Sequence, residues 1–465
     1  MKVYFLGIAG AGMSALASVL ISQGVEVTGS DNAVFPPVSD YLNRLGIVWR
    51  SGFDAAAVPA DIDAAVIGSS AKLDLADNPE LAEIVRRGVP RFGFADYLGK
   101  HTQDRDNVVI AGSFGKSTLT ALAAVMMREA GRDPGYFIGA IPLDLPATGH
   151  AGTDPTFLIE GDEYVIGADD RRPKFALYHP RAALVSSIVH DHVNVYPTMA
   201  DYEAPFASLI DRLPKDALLV CANAYEPLHR LTQGRGVVWY GLAPCDGYWA
   251  DRIEIGEVTR FALVTPSGER IALTTELLGR HNIENIVGAA ALLLERDAVD
   301  AEAVQAATAK FRGVARRLDK KTRRSRIPAY EGFGSSYEKA RSAIEAIRLH
   351  FPERPAVVVF EPHTFSWRNA GALAWYDRVF EGVARVLVLA PPGHGAEGHA
   401  QLTQDQILAR IRAAGVAAAS VANAGEALDD LGDSLTGDEV VLLLSSGPLD
   451  GLAASLPAML DARFG

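Results

Sequence analysis

Two glycine-rich turns hold the residues best suited to chemistry. The first is Gly7-Ile8-Ala9-Gly10-Ala11-Gly12-Met13-Ser14-Ala15. Gly10, Gly12 and Ala15 keep the spacing of a diphosphate-binding turn between a strand and a helix. Glycines let the backbone approach a diphosphate, and the helix N-terminus adds free N–H groups and partial positive charge. Gly10, Ala11, Gly12, Met13 and Ser14 are therefore candidate ligand contacts. Asp31 ends the next strand, where an acid can bind a ribose hydroxyl. The plainer alternative is a tight turn of the kind any doubly wound domain contains.

The second turn is Gly112-Ser113-Phe114-Gly115-Lys116-Ser117-Thr118, again between an apolar run and a helical one. A standard phosphate loop carries a further glycine where this chain has Ile110, so only the shorter Gly-x-x-Gly-Lys-Ser form remains. That form still works chemically. N–H groups around Gly112, Gly115 and Thr118 can hold phosphates, Lys116 can reach the terminal phosphate and the Ser117 hydroxyl can ligate Mg²⁺. Downstream, Phe157-Leu158-Ile159 reads as a strand ending in Glu160-Gly161-Asp162-Glu163, and an acid there can complete a Mg²⁺ shell. Ala183–Val189 reads as another strand, ending in His190-Asp191-His192, a candidate for a second metal or a phosphate contact. A solvated acidic loop and structural histidines are the alternatives.

These residues need elements to hold them. Val3–Leu6, Val25–Gly29, Ala64–Gly68 and Pro90–Phe94 read as strands, with helices over Met13–Gln23 and Asn78–Arg87. Val108–Ala111 is a strand and Lys116–Ala130 a helix; further strands lie at Ala356–Phe360, Val386–Leu389 and Val440–Leu444. Strands alternating with helices specify α/β architecture with parallel sheets. At roughly 150 residues per domain, 465 residues suggest three domains. Their expected limits are 1–105, 106–311 and 312–465.

Composition narrows the function. Hydrophobic residues make up 49% and charged residues 22%, which is globular and not disordered. The 57 acids against 44 bases, net −13, argue against a nucleic-acid or anionic-membrane footprint. No apolar run spans a bilayer, so no membrane insertion is expected. Lys2 and the apolar stretch to Ile21 imitate a secretory leader, but Gly7, Gly10 and Gly12 interrupt it. The 2 cysteines rule out a disulfide framework and fit a cytoplasmic setting.

Taken together, the motifs resemble the Mur ligases of peptidoglycan synthesis, in particular the branches acting on UDP-N-acetylmuramate. The resemblance lies in the first turn, in Gly29-Ser30-Asp31 with Val34-Phe35-Pro36-Pro37-Val38-Ser39, and in Arg132–Gly139. It continues through Ile159–Tyr164, Lys174–Tyr178, Phe360-Glu361-Pro362 and Ser445–Gly451, and so covers nearly the whole chain. It implies a Rossmann-like N-terminal domain, a P-loop-type central ATPase domain and a Rossmann-like C-terminal domain. The first would hold the UDP of a UDP-N-acetylmuramate-type substrate, the second Mg-ATP, the third an amino acid or murein peptide. Lys116 would contact the β/γ phosphates, Ser117 and Glu160 one Mg²⁺, and His192 a second. Asn282 and Asn285 would lie near adenine, and Arg317 and Glu331 near the nucleotide from the third domain. The reaction implied is ATP-dependent, ADP-forming amide ligation through an acyl phosphate.

The chain departs from the family pattern at Tyr330–Tyr337, where Ser335 and Ser336 replace two histidines and Glu331 stands for the first acid. Ser113-Phe114 in the phosphate loop and Ser446 and Pro448 near the C-terminus also depart. Two other classes stay open: a paralogue that binds nucleotide or UDP-sugar without ligating, and a nicotinamide-dependent dehydrogenase.

Overall fold

The computed structural model describes residues 1–32, 34, 38–68, 77–167, 170–391 and 401–465. The resemblance carried by Phe35-Pro36-Pro37 lies outside them. Two compact units emerge. One comprises Met1–Ile253, Arg260–Thr275 and His281–Phe311; the other comprises Glu254–Thr259, Glu276–Arg280 and Arg312–Gly465.

The first unit begins with a five-stranded sheet in the order Val48–Ser51, Glu26–Asp31, Lys2–Leu6, Ala64–Ile67, Arg91–Gly93. All its pairings are parallel. The chain winds outward both ways from Lys2–Leu6, so a crevice opens at that strand's C-terminal end, where the first glycine turn lies. Helix Ala11–Ile21 follows the turn, two residues earlier than the apolar pattern suggests. Asn78 caps helix Pro79–Arg86 by accepting from the N–H groups of Glu80 and Leu81. Arg91–Gly93 stops short of Phe94, which opens a helix to Thr102 that the sequence reading missed.

A ten-stranded sheet follows, with Asp106–Ala111 between Ala182–Val185 and Thr156–Glu160. The expected strand Ala183–Val189 ends at Val185, so His190 and His192 do not sit at a strand end. Beyond Val185 the backbone serves the phosphate loop instead of the ladder: Phe114 N donates to Ser187 Oγ at 3.0 Å and Ser113 N to Ser187 O at 3.0 Å. The first sheet's helices are fastened to this second sheet by close contacts. Tyr41 Oη and Thr148 Oγ1 are 2.6 Å apart, and Ala151 N donates to Ser22 Oγ at 2.9 Å. Gly149 passes so near Ala15 that a Cβ would lie 2.2 Å from its carbonyl oxygen.

The second unit holds a six-stranded sheet: Arg317–Lys320, Ala329–Phe333, Val440–Ser445, Ala356–Phe360, Arg385–Leu389, Ala417–Val421. Only the first pairing is antiparallel. Alternate residues feed opposite cores, Val358, Phe360 and Leu442 on one face and Val357, Val359 and Leu443 on the other. That is the pattern of a parallel sheet covered on both sides. No helix among the described residues is long and apolar enough to cross a membrane.

Candidate functional site

Gly7 and Ile8 donate their N–H groups to Ser30 O at 2.8 and 3.0 Å, which ties the first turn to the adjoining strand. Asp31 reinforces it by accepting from Ala9 N at 2.9 Å and Asn32 N at 2.7 Å. Gly12 lies under the Phe94 ring, where a Cβ would come within 2.9 Å of ring carbons. Gly10, Ala11, Gly12, Met13 and Asp31 line a cleft of about 700 Å³. Ser14 is instead turned inward and donates to Ala11 O at 3.2 Å. Phe94, Glu160, Asp162, Lys174 and Tyr178 line the same cleft.

The second turn closes on its own lysine. Gly112 adopts φ +135° and Gly115 φ +83°, both in the region that favours glycine. A Cβ on Gly112 would lie 2.2 Å from Ser186 Oγ, and one on Gly115 2.5 Å from Asn285 Oδ1. Lys116 Nζ donates to Gly112 O at 2.6 Å and to Glu163 Oε2 at 2.9 Å. Ser117 Oγ donates to Glu160 Oε1 at 2.8 Å, and Gly139 N donates to Glu160 Oε2 at 2.7 Å. Thr118 is buried in the helix that follows.

Glu163, which the sequence reading passed over, is the centre of this cluster. It is 0% exposed. Tyr202 Oη lies 3.1 Å from its Oε1 and 2.9 Å from Ser113 Oγ; His192 Nε2 lies 3.5 Å from Glu163 Oε1. Burial alone would push its carboxyl up, but His192 and Lys116 outweigh burial and hold it below the usual carboxylate value. The same contact with Glu163 raises the His192 imidazole. Burial also raises the Tyr196 phenol, to about 12, and its hydroxyl donates to Glu163 O at 2.5 Å. The only advance signal for Glu163 is its place three residues after the strand-ending acid.

The oxygen pair Ser117 and Glu160 fits a hard cation such as Mg²⁺, which takes few protein ligands and completes its shell with phosphates and water. His192 faces Glu163, and among the described residues no three His, Cys, Asp or Glu side chains converge as a metal cluster. Asn282 and Asn285 are buried at the start of helix Arg280–Leu294, joined by an Asn285 Nδ2 to Asn282 Oδ1 bond of 3.2 Å. Asn285 thus rests against the phosphate loop.

In the second unit, Arg317 is exposed on the edge strand. Glu331 is buried, with Arg316 Nε 3.1 Å from its Oε1 and Lys321 Nζ 2.9 Å from its Oε2. Two motifs far apart in sequence meet there. Ser445 Oγ donates to Glu361 Oε2 at 2.5 Å and Leu449 N to the same oxygen at 3.2 Å.

An α/β fold carries a glycine turn of diphosphate-binding spacing, a second glycine turn with a lysine and serine, and an acid between them, and comparison with known proteins makes the class specific. Residues 2–105 match the Mur ligase family, catalytic domain, and residues 110–293 the Mur ligase middle domain. The UDP-N-acetylmuramate–L-alanine ligase of Roseiflexus sp. (strain RS-1) is 33% identical over 96% of this chain and 96% of its own. The chain belongs to the Mur ligase family and is a ligase. The crystal structure of a UDP-N-acetylmuramate–alanine ligase from Thermotoga maritima shares the fold, with TM-score 0.80 at 20% identity over 99% of both chains. The UDP-N-acetylmuramate:L-alanyl-γ-D-glutamyl-meso-diaminopimelate ligase from Neisseria meningitides has TM-score 0.60 and 27% identity, over 68% of this chain and 99% of its own.

Proposed function

We propose that this ligase joins the carboxylate of a UDP-N-acetylmuramate-type donor to an amino acid or murein peptide, using ATP and Mg²⁺ and releasing ADP and phosphate in the cytoplasm. The observation that carries the reading is the position of Glu160. Its carboxylate lines the cleft of the first glycine turn and also accepts from Ser117 of the phosphate loop. A donor anchored at Gly10–Met13 therefore extends toward the residues that hold the nucleotide.

The residues have separable roles. The Gly10–Met13 turn binds the donor diphosphate, and loop N–H groups around Gly112 and Gly115 bind ATP phosphates. Lys116 moves from Glu163 to the terminal phosphates. Mg²⁺, when bound by Ser117 and Glu160, supplies charge neutralisation at the phosphates. His192 would contact a second metal or a phosphate, Asn282 and Asn285 would border the adenine site, and Arg317 and Glu331 would serve the nucleotide. The donor carboxylate attacks the γ-phosphorus and ADP leaves; the acceptor amine then displaces phosphate from the acyl carbon and gives up a proton. No protein nucleophile is needed.

Incubation with UDP-N-acetylmuramate and Mg-ATP, first with L-alanine and then with L-alanyl-γ-D-glutamyl-meso-diaminopimelate, tests this by mass spectrometry and phosphate release. One adduct, with stoichiometric phosphate, is expected. Binding of both nucleotides with no product on prolonged incubation would overturn ligation and leave a binding protein.

A further inference from the structure

The cleft poses a charge problem. Asp31, Glu160 and Asp162 line it, and among its described lining residues Lys174 is the one cation. The donor proposed above is anionic at both ends, diphosphate and carboxylate. The diphosphate end has the glycine turn and the N-terminus of helix Ala11–Ile21. Asp31 is engaged there by two backbone N–H groups, and Glu160 is engaged by Ser117 and Gly139. For the carboxylate end, Lys174 is the cationic side chain that the described lining residues offer.

Lys174 is built in, not a mobile surface lysine. Its side chain is 13% exposed, and Nζ lies 2.6 Å from Asp162 Oδ2. The ammonium sits 5.7 Å from the Phe94 ring centre and 5.3 Å from that of Tyr164. Its backbone N–H donates to Tyr164 O at 3.1 Å, and it opens the short helix Lys174–Leu177. Phe94 is fixed in turn, stacked on Phe137 with centroids 6.1 Å apart and lying across Gly12. One wall of the cleft therefore runs from the glycine turn through Phe94 to Lys174.

We propose that Lys174, oriented by Asp162, is the seat of the donor's carboxylate and the residue that selects a carboxylate-bearing UDP-sugar. An ammonium has three N–H donors, and Asp162 engages one side of it. A hydrogen bond from Lys174 to one carboxylate oxygen leaves the other free to attack phosphorus. The proposal rests on the ligase reading of the cleft.

The test uses two ligands that differ in the carboxylate-bearing lactyl ether, UDP-N-acetylmuramate and UDP-N-acetylglucosamine. Calorimetry is run on the full chain, on Lys174→Ala and on Lys174→Arg, with thermal unfolding as a check on folding. The wild type is expected to favour UDP-N-acetylmuramate by about 10- to 100-fold, the range of a charge-assisted hydrogen bond. Lys174→Ala is expected to lose that preference with UDP-N-acetylglucosamine affinity nearly unchanged, while Lys174→Arg keeps part of it. In turnover, KM for the donor rises and KM for ATP does not. Retention of the wild-type preference in Lys174→Ala overturns the carboxylate seat alone, as does equal weakening of both ligands. A wild type that binds neither UDP-sugar overturns the donor reading itself, and the seat with it.

Discussion

Lys116, partly buried, pairs with the fully buried Glu163, Nζ to Oε2 2.9 Å, so the carboxylate is sealed from solvent. Removing one partner of such a pair leaves an uncompensated charge and costs about 3–5 kcal/mol. Lys116→Ala is therefore expected to abolish phosphate release and also to lower stability. Adding Glu163→Gln removes the stranded charge, so the double variant should recover most of the stability and none of the turnover. Urea unfolding and phosphate release separate the two effects. A double variant no more stable than Lys116→Ala would show that the charges are not coupled, and a fully active Lys116→Ala would sink the mechanism.

The two turns were legible because glycine spacing after a strand constrains the backbone directly. Asp31 and Glu160 were legible because strand ends could be read from apolar runs. Glu163, Tyr202 and Ser113 were not: residues 113, 163 and 202 converge only when three parts of the chain fold together. The apolar pattern over-extends the strand after Ala182 because Ile188 and Val189 are β-branched and suit a buried strand. The partners of Ser186, Ser187 and Val189 in the phosphate loop, invisible in sequence, decide otherwise. Helix Phe94–Thr102 was hidden by Arg91-Phe92-Gly93, whose short strand runs straight into it. In sequence Lys174 is one residue of the family-like stretch Lys174–Tyr178; only the fold sets it against Asp162 and Phe94.

Gly115 adopts φ +83°, and any Cβ there would lie 2.5 Å from Asn285 Oδ1. Gly115→Ala pays for the left-handed conformation, about 1–2 kcal/mol, and displaces Asn285 as well. A lower unfolding temperature and at least ~10-fold weaker ATP binding are expected, since a phosphate site tolerates little misplacement. Asn285→Ala in the same chain would relieve the collision but not the strain, so only part of the loss should return. Wild-type ATP affinity in Gly115→Ala would show that the loop does not hold phosphate in this form.

Tyr202 Oη bridges Ser113 Oγ at 2.9 Å and Glu163 Oε1 at 3.1 Å. Ser113 keeps other partners, donating to Val189 O at 2.9 Å and accepting from Val189 N at 2.8 Å. Tyr202→Phe should therefore destabilise by only about 1 kcal/mol. Glu163 loses a neutral partner and retains Lys116, so KM for ATP should shift by a few-fold at most. Loss of activity comparable to Lys116→Ala would give Tyr202 a direct role in the chemistry.

His350 supplies a pH dependence within the second unit. It is buried in the second unit, with Nε2 accepting from Gly279 N at 2.8 Å and Nδ1 donating to Gly256 O at 2.7 Å. That arrangement needs the neutral ring, and burial, partly opposed by the Gly256 carbonyl, holds the imidazole below its ordinary value of 6.5. The folded value is thus lower than the unfolded one, and on acidification the unfolded chain takes the proton first. The stabilisation is present above the unfolded value and is lost as pH falls through the folded one. Urea midpoints measured from pH 8 down to pH 5, a range of roughly 1.5 units on either side of the ordinary histidine value, should fall toward acid. His350→Gln should be less stable at pH 8 by about 1–3 kcal/mol, through weakened buried hydrogen bonds, yet should show a shallower fall. An unchanged acid slope in His350→Gln would assign the pH dependence to other groups.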